Sequence, residues 1–249
     1  MVSNAELKWE KLNPARGEKS PQAAVLWGDL KGNKIATGFL VRFIDGFESP
    51  PHIHNVTYKG VVISGLVHND DPKAEKLWMP TGSFWKQPLG EIHITAAKGK
   101  NNLAFIEIES APYLVMPPEK AFLTKEKPIN MFPSNIIWLD DQSSSWISGP
   151  HLRIAYLWGQ LDKEHKNGTF LKLKKRYSGR FKHNSNNLKL VIITGKIKLK
   201  INGDEKKLSP SSYVGFNSPV NHEILCESSE DCIFYVKSLG KYEFAQARE

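Results

Sequence analysis

The sequence predicts an all-β protein built as two tandem β-barrels or sandwiches. Three observations carry that expectation: short β-branched runs set off by turn residues, the lack of any helical period, and an internal repeat. The runs GFLVRFI, GVVISGLV, LAFIEIES, LVIITGKIKLKI and CIFYVKS are rich in Val, Ile and Phe, and Gly, Pro, Asn and Asp separate them. That is the composition of strands and tight turns. No segment joins a 3.6-residue apolar period to caps at both ends.

The repeat is read from order and offset. Leu26-Trp27-Gly28-Asp29-Leu30 returns as Leu157-Trp158-Gly159-Gln160-Leu161, and Ile63-Ser64-Gly65 returns as Ile193-Thr194-Gly195. The stretch HITAAKGKNNLAF at 93–105 parallels HEILCESSEDCIF at 222–234. A nearly constant offset of about 130 residues indicates duplication into two domains rather than a long repeat array. The expected organisation is an N-terminal extension at 1–25, a first domain at 26–115, a linker at 116–150 and a second domain at 151–249. The linker carries the proline-punctuated MPPEKAFLTKEKPINMFPSN and the polar DDQSSSW.

Composition bounds the function. With 249 residues, 40% of them apolar, and seven tryptophans, the chain can bury two cores of ordinary size. No apolar run reaches the roughly 18 residues of a spanning helix, and MVSNAELKWEKLNPARG lacks the apolar stretch of a signal peptide. As given, the chain is expected to be soluble and cytoplasmic, or periplasmic if a leader preceded it. Lys+Arg minus Asp+Glu is 16 − 16 = 0 over 1–150 and 18 − 10 = +8 over 151–249. Alternating Lys196, Lys198 and Lys200 between Ile197, Leu199 and Ile201 is the pattern of a half-buried strand with a wet face. The basic residues of 172–182 stand beside no recognisable nucleic-acid motif, so nucleic acid and membrane are not expected partners. Cys226 and Cys232 flank ESSED; a disulfide and two reduced core thiols are both compatible with that spacing.

Candidate chemistry gathers in GFESPPHIHNVTYKGVVISG, residues 46–65. On a strand, His52 and His54 point to one face, where two imidazoles can share a metal. Gly46, five residues, His52-x-His54, three residues, Tyr58, six residues and Gly65 together resemble the first motif of the cupins, with Tyr58 where that family usually has glutamate. Gly82, five residues and Pro88-x-Gly90-x-x-His93 resemble the second motif, with Ala97 where asparagine is usual. More closely, LWGDL, SPPHIHNVTYKGVVISG and GSFWKQPLGEIH look like an uncharacterised bicupin family related to the ChrR-like cupins.

The resemblance implies two tandem cupin (jelly-roll, RmlC-like) barrels, with His52, His54 and His93 converging on one divalent transition metal ion in the first. Fe(II) or Zn is expected, with Ni, Mn or Cu admissible, since imidazole suits all of them and three protein ligands leave positions open. Three neutral ligands leave the ion's charge uncompensated, which favours a small, anionic, chelating substrate. Tyr58 is then either a hydrogen-bond donor to bound ligand or an aromatic that fills the barrel, and Gln87 either a fourth ligand or a group that orients substrate. His68 reads as a surface loop residue, and His151 lies outside both motifs.

The expected function is a metal-dependent, oxygenase-type bicupin. Its alternatives are a non-catalytic metal-binding or sensor cupin and a metal-free isomerase or epimerase. Pairing into a homodimer is left open. In the second copy, Lys182, Asn184 and Leu188 fall opposite His52, His54 and Tyr58, and His222 alone matches a ligand, with His183 one residue out of step. That pattern predicts a second barrel without metal.

Overall fold

Runs that alternate large apolar residues with polar ones can bury one face each, and here they pair almost entirely antiparallel. The computed structural model describes the chain apart from residues 161–163, 184–186, 202, 218–219 and 247–249, and gives only the backbone at 181–183, 220–221 and 246. Asn184 therefore lies outside the described residues, as do the side chains of Lys182 and His183. The chain forms two units, one of residues 7–135 and one of residues 1–6 with 136–249.

In the first unit seven strands form one sheet in the order Glu10–Lys11, Gln22–Trp27, Thr37–Phe43, Ile94–Ile108, Tyr58–Asp70, Phe84–Gln87 and Ile129–Met131. A short pair, Ile53–His54 with Val115–Met116, lies apart from it. The two long strands run together from Tyr58↔Ile108 to Asp70↔Ile94, with irregularities between Val62, Ser64 and Leu66. Extra residues bend a strand and sharpen its twist, which lets one strand serve two walls of a barrel. At that bend Gly65 has φ +75°, and a Cβ there would come within 2.1 Å of the Asn102 side chain. Phe39, Val62, Val67, Trp85, Ala104 and Ile108 are among the side chains of the core.

The second unit packs two sheets face to face. One contains Ile147–Ser148, Glu243–Gln246, Ser178–His183, Val220–Cys226, Ile197–Ile201 and Asp204–Leu208; the other contains Leu152–Gly159, Lys166–Leu173, Cys232–Leu239, Leu188–Thr194 and Tyr213–Phe216. Its interior is filled by aromatic and branched side chains, among them Trp146, Tyr177, Leu188, Phe234, Tyr242 and Phe244. Cys226 and Cys232 form a disulfide across 6.0 Å of Cα separation. The duplication extends to backbone irregularities: the register shifts between Val25 and Trp27 and again between Tyr156 and Trp158, and between Val62 and Ser64 and again between Ile192 and Thr194.

Two sequence expectations differ from the fold. Residues 10–11 and 22–25 are strands of the first sheet rather than an extension, and Ile129–Met131 of the presumed linker closes that sheet's far edge against Phe84–Gln87. His68 is not a loop residue. It lies buried within the strand Tyr58–Asp70, beside Trp78 at a ring-centroid separation of 6.3 Å. Its Ile-Ser-Gly-Leu-Val approach reads as a strand ending at Gly65, but the bends carry the strand past the glycine. His151 is exposed in a turn.

Candidate metal centre

Pro50-Pro51 keeps the chain extended ahead of His52, because proline and the residue before it disfavour helix. His52 then bridges to His93, with His52 N donating to the His93 carbonyl at 3.1 Å and His93 N returning the bond at 3.0 Å. The turn of the second motif is tied to the first by Gly90 N, which donates to the His54 carbonyl at 2.9 Å. So two motifs nearly 40 residues apart meet through the backbone of the ligands themselves.

His52, His54 and His93 are buried, and one ring nitrogen of each lies within 4.8 Å of the others. Every Nδ1 faces a backbone carbonyl: His52 to Pro50 O at 2.9 Å, His54 to Leu114 O at 2.9 Å and His93 to Glu91 O at 3.1 Å. A carbonyl can only accept, so each Nδ1 carries the proton and each Nε2 presents a lone pair. Asn55 helps to fix this arrangement: its amide donates to Pro112 O and accepts from Leu114 N, which holds the Leu114 carbonyl over His54. Burial lowers the pKa of all three imidazoles, His54 well below the ordinary value and His93 to about 3; proximity to one another adds to this for His54 and His93. At neutral pH the trio is uncharged and competent to bind a cation.

Two tyrosines complete the shell. Tyr113 stacks on His54 with 4.3 Å between centroids, and its hydroxyl lies 3.1 Å from His54 Nε2. Tyr58 OH lies 3.2 Å from His93 Nε2 and 2.7 Å from Asn69 Oδ1. Burial raises the phenol pKa of both, so the hydroxyls are protonated.

The proton direction at Tyr58 follows from a closed ring of contacts. The Glu91 carbonyl accepts from Gln87 Nε2 at 3.4 Å, which turns Gln87 Oε1 toward Asn69 Nδ2 at 3.0 Å, and that turns Asn69 Oδ1 toward Tyr58. Thr95 Oγ1 donates to the same Asn69 oxygen at 2.8 Å. Tyr58 therefore donates to Asn69 and shows an oxygen lone pair to the lone pair of His93 Nε2. Two acceptors facing each other at 3.2 Å would be relieved by a cation held nearby. The three imidazoles fit a divalent first-row transition ion, with the neutral Tyr58 oxygen beside His93.

Of the residues that the sequence singles out, His52, His54, His93 and Tyr58 come together. Gln87 is buried with both ends of its amide engaged and reaches Tyr58 only through Asn69. Asn69, Thr95 and Tyr113 are site residues that sequence reasoning missed. Asn69 and Thr95 fall at register partners of the two long strands, a signal that only the pairing supplies. In the second unit His222 is buried against Phe216 at 4.6 Å between centroids, and Leu188 belongs to the apolar core.

His52, His54 and Tyr58 line a cavity of about 600 Å³ with walls of Val41, Phe43, Phe47, Trp85 and Ile106. A pocket of that size takes a small organic molecule. Among the described residues no helix is long and apolar enough to cross a membrane.

The fold is similar to a candidate dioxygenase from Nostoc punctiforme, with a TM-score of 0.69 at 13% identity, covering 94% of this chain and 79% of that one. It is also similar to AerE from Microcystis aeruginosa (TM-score 0.61, 15% identity, 94% and 96% covered). A third similar structure is oxalate decarboxylase from Lactobacillus farciminis in its formate complex (0.61, 8%, 98% and 87%). These likenesses identify tandem cupin barrels. A comparison with curated proteins finds no match. Residues 1–245 match a single family model, and the chain belongs to that family, the domain of unknown function DUF4437.

Proposed function

We propose that this chain is a metal-dependent bicupin enzyme of oxygenase type, acting on a small anionic chelating substrate at His52, His54 and His93. The observation that carries the reading is the orientation of the site: three buried neutral imidazoles, each with Nδ1 held by a carbonyl and Nε2 free of it, two of which, His52 and His54, line a cavity large enough for substrate. Structural metal sites are closed by four protein ligands, whereas three leave room for an exchangeable partner. The bound ion would supply Lewis acidity and, if it is Fe(II), access to oxygen chemistry. The protein's own part is to keep the imidazoles neutral, to fix the Tyr58 oxygen through Asn69 and Gln87, and to hold an apolar wall around the reacting molecule. Gln87 in this reading acts by orientation and is not itself a ligand. The candidate dioxygenase among the similar folds supports oxygenase chemistry by analogy of fold alone. A closer relation to the ChrR-like cupins rests on the stretches of residues 26–30, 49–65 and 82–93.

Metal analysis of the purified full chain, joined to an oxygen-uptake screen over small 2-oxo and 2-hydroxy acids and catechols, tests the reading. Stoichiometric iron with uptake on at least one acid or catechol is expected, and His52→Ala/His54→Ala should empty the site while the fold survives. Full metal in that double variant would remove the assignment. Zinc without oxygen uptake would replace oxygenase with hydrolytic or binding chemistry.

A further inference from the structure

The cavity above the metal centre is walled in part by residues 12–21, a stretch that precedes both cupin motifs. Leu12, Asn13, Arg16 and Pro21 all line it. Among the described lining residues Arg16 bears the one formal charge, and no carboxylate is present in the wall. A divalent ion on three neutral imidazoles, with a guanidinium at the rim, is a site with a large positive excess and no protein anion to balance it.

The segment holds Arg16 in place. It is a pair of short 3-10 turns within Pro14–Lys19, broken by a kink at Gly17 and entered at Asn13, whose side chain accepts from Ala15 N at 3.1 Å. Leu12 N donates to Pro21 O at 2.9 Å and Asn13 N to Ser20 Oγ at 3.0 Å, closing the stretch into a loop, and Lys11 pairs with Glu18 across it. The Arg16 guanidinium lies over Phe47, 5.2 Å from the ring centroid, and one amino group donates to the Glu48 carbonyl at 3.3 Å. Phe47 is itself a cavity wall. Among the described residues no carboxylate forms an ion pair with Arg16. A guanidinium has five N–H donors in a planar fork that matches a carboxylate, and only one is engaged by Glu48.

We infer that Arg16 is the anchor for an oxyanion of the substrate, which is therefore an apolar-bodied organic acid: a chelating end toward His52 and His54, a hydrophobic middle along Val41, Phe43, Phe47 and Ile106, and a carboxylate at the rim. This deepens the reading of the metal centre and rests on it for the chelating end alone; the anion preference is a property of Arg16 and its loop.

Binding of 3-phenylpropionate and of its uncharged analogue 3-phenylpropanamide to the full chain, measured by calorimetry in metal-loaded and metal-stripped protein, provides the test. The carboxylate is expected to bind roughly 10–100-fold more tightly than the amide, the range of a charge-assisted hydrogen-bonded pair. Arg16→Ala should abolish that preference and leave amide binding and metal content unchanged; Arg16→Lys should restore part of it; Lys19→Ala, a cation of the same turn outside the wall, should behave as wild type. The preference should persist in metal-stripped protein. Equal affinity for acid and amide in the wild type, or a preference that survives Arg16→Ala, overturns the inference. Loss of metal from the His52→Ala/His54→Ala variant, or its retention, bears on the metal reading and leaves the Arg16 comparison readable on its own.

Discussion

Tyr58 replaces a charged carboxylate by a neutral oxygen whose direction is imposed by its neighbours. The Glu91 carbonyl sets Gln87, Gln87 sets Asn69, and Asn69 takes the Tyr58 proton. Tyr58→Phe keeps the ring in the core and removes only that oxygen, so metal affinity is expected to fall roughly 10–100-fold, as for loss of a group that supports a metal ligand. A chelator competition would show it, and an unchanged affinity would place the Tyr58 oxygen outside the ion's reach. The histidines give a pH dependence of definite sign. Burial holds His54 well below the ordinary imidazole value and His93 at about 3, while in the unfolded chain both titrate near about 6.5. The unfolded state therefore binds more protons below about pH 6.5, and stability present above that pH is lost as pH falls toward the folded values. The melting temperature of metal-stripped protein should drop between pH 7 and pH 5, and His93→Gln should lessen the drop; a flat profile in the wild type would contradict the neutral, buried trio.

The two long strands, Tyr58–Asp70 and Ile94–Ile108, are the elements on which the site depends. They deliver Tyr58, Asn69 and Thr95 to the site because the register shifts between Val62, Ser64 and Leu66 bend the pair while it goes on pairing to Asp70↔Ile94. Gly65 permits that bend: its φ of +75° and the Asn102 side chain 2.1 Å from a would-be Cβ exclude any side chain. Gly65→Ala is expected to cost roughly 1–3 kcal/mol, the range for a forced left-handed residue, read as a lowered chemical-denaturation midpoint. Metal stoichiometry should stay intact, because His52 and His93 are tied to each other, and His54 to Gly90, by backbone bonds outside residues 62–66 of the bend. Strand existence was legible from β-branched runs and the ligands from H-x-H spacing. Asn69 and Thr95 were not, since a polar residue on a strand becomes a site residue only through its partner across the ladder, and sequence order carries no register; Tyr113 was not, since it lies between strands, outside both motifs. His68 was misplaced for the same reason: a strand that bends at a glycine reads, in one dimension, as a strand that stops.

On the scale of the molecule the two units follow one plan and differ in what fills them. The first keeps a cavity of about 600 Å³ over its histidines, while the second packs Trp146, Leu188, Phe234 and Tyr242 into a continuous core. The duplication was legible from matching pentapeptides and is repeated in the paired register shifts. The true boundaries were not, because Glu10–Lys11 is a two-residue strand set off by an irregular stretch and Ile129–Met131 pairs with Phe84–Lys86, far away in sequence. One metal ion per chain is expected, bound in residues 7–135. His183→Ala/His222→Ala should leave metal content at one equivalent; two equivalents in the wild type, falling to one in that variant, would show a working second site.

Six residues before the first repeated strand, Gln22–Trp27, stands Arg16 at the rim of an open chamber; six residues before its counterpart, Leu152–Gly159, stands Trp146, buried against Tyr156 and Tyr242. The same stretch of lead-in chain thus acts once as a charged gatepost and once as a stopper. Descendants of a duplicated barrel can then part ways by altering a short lead-in loop, with the ancestral walls left alone.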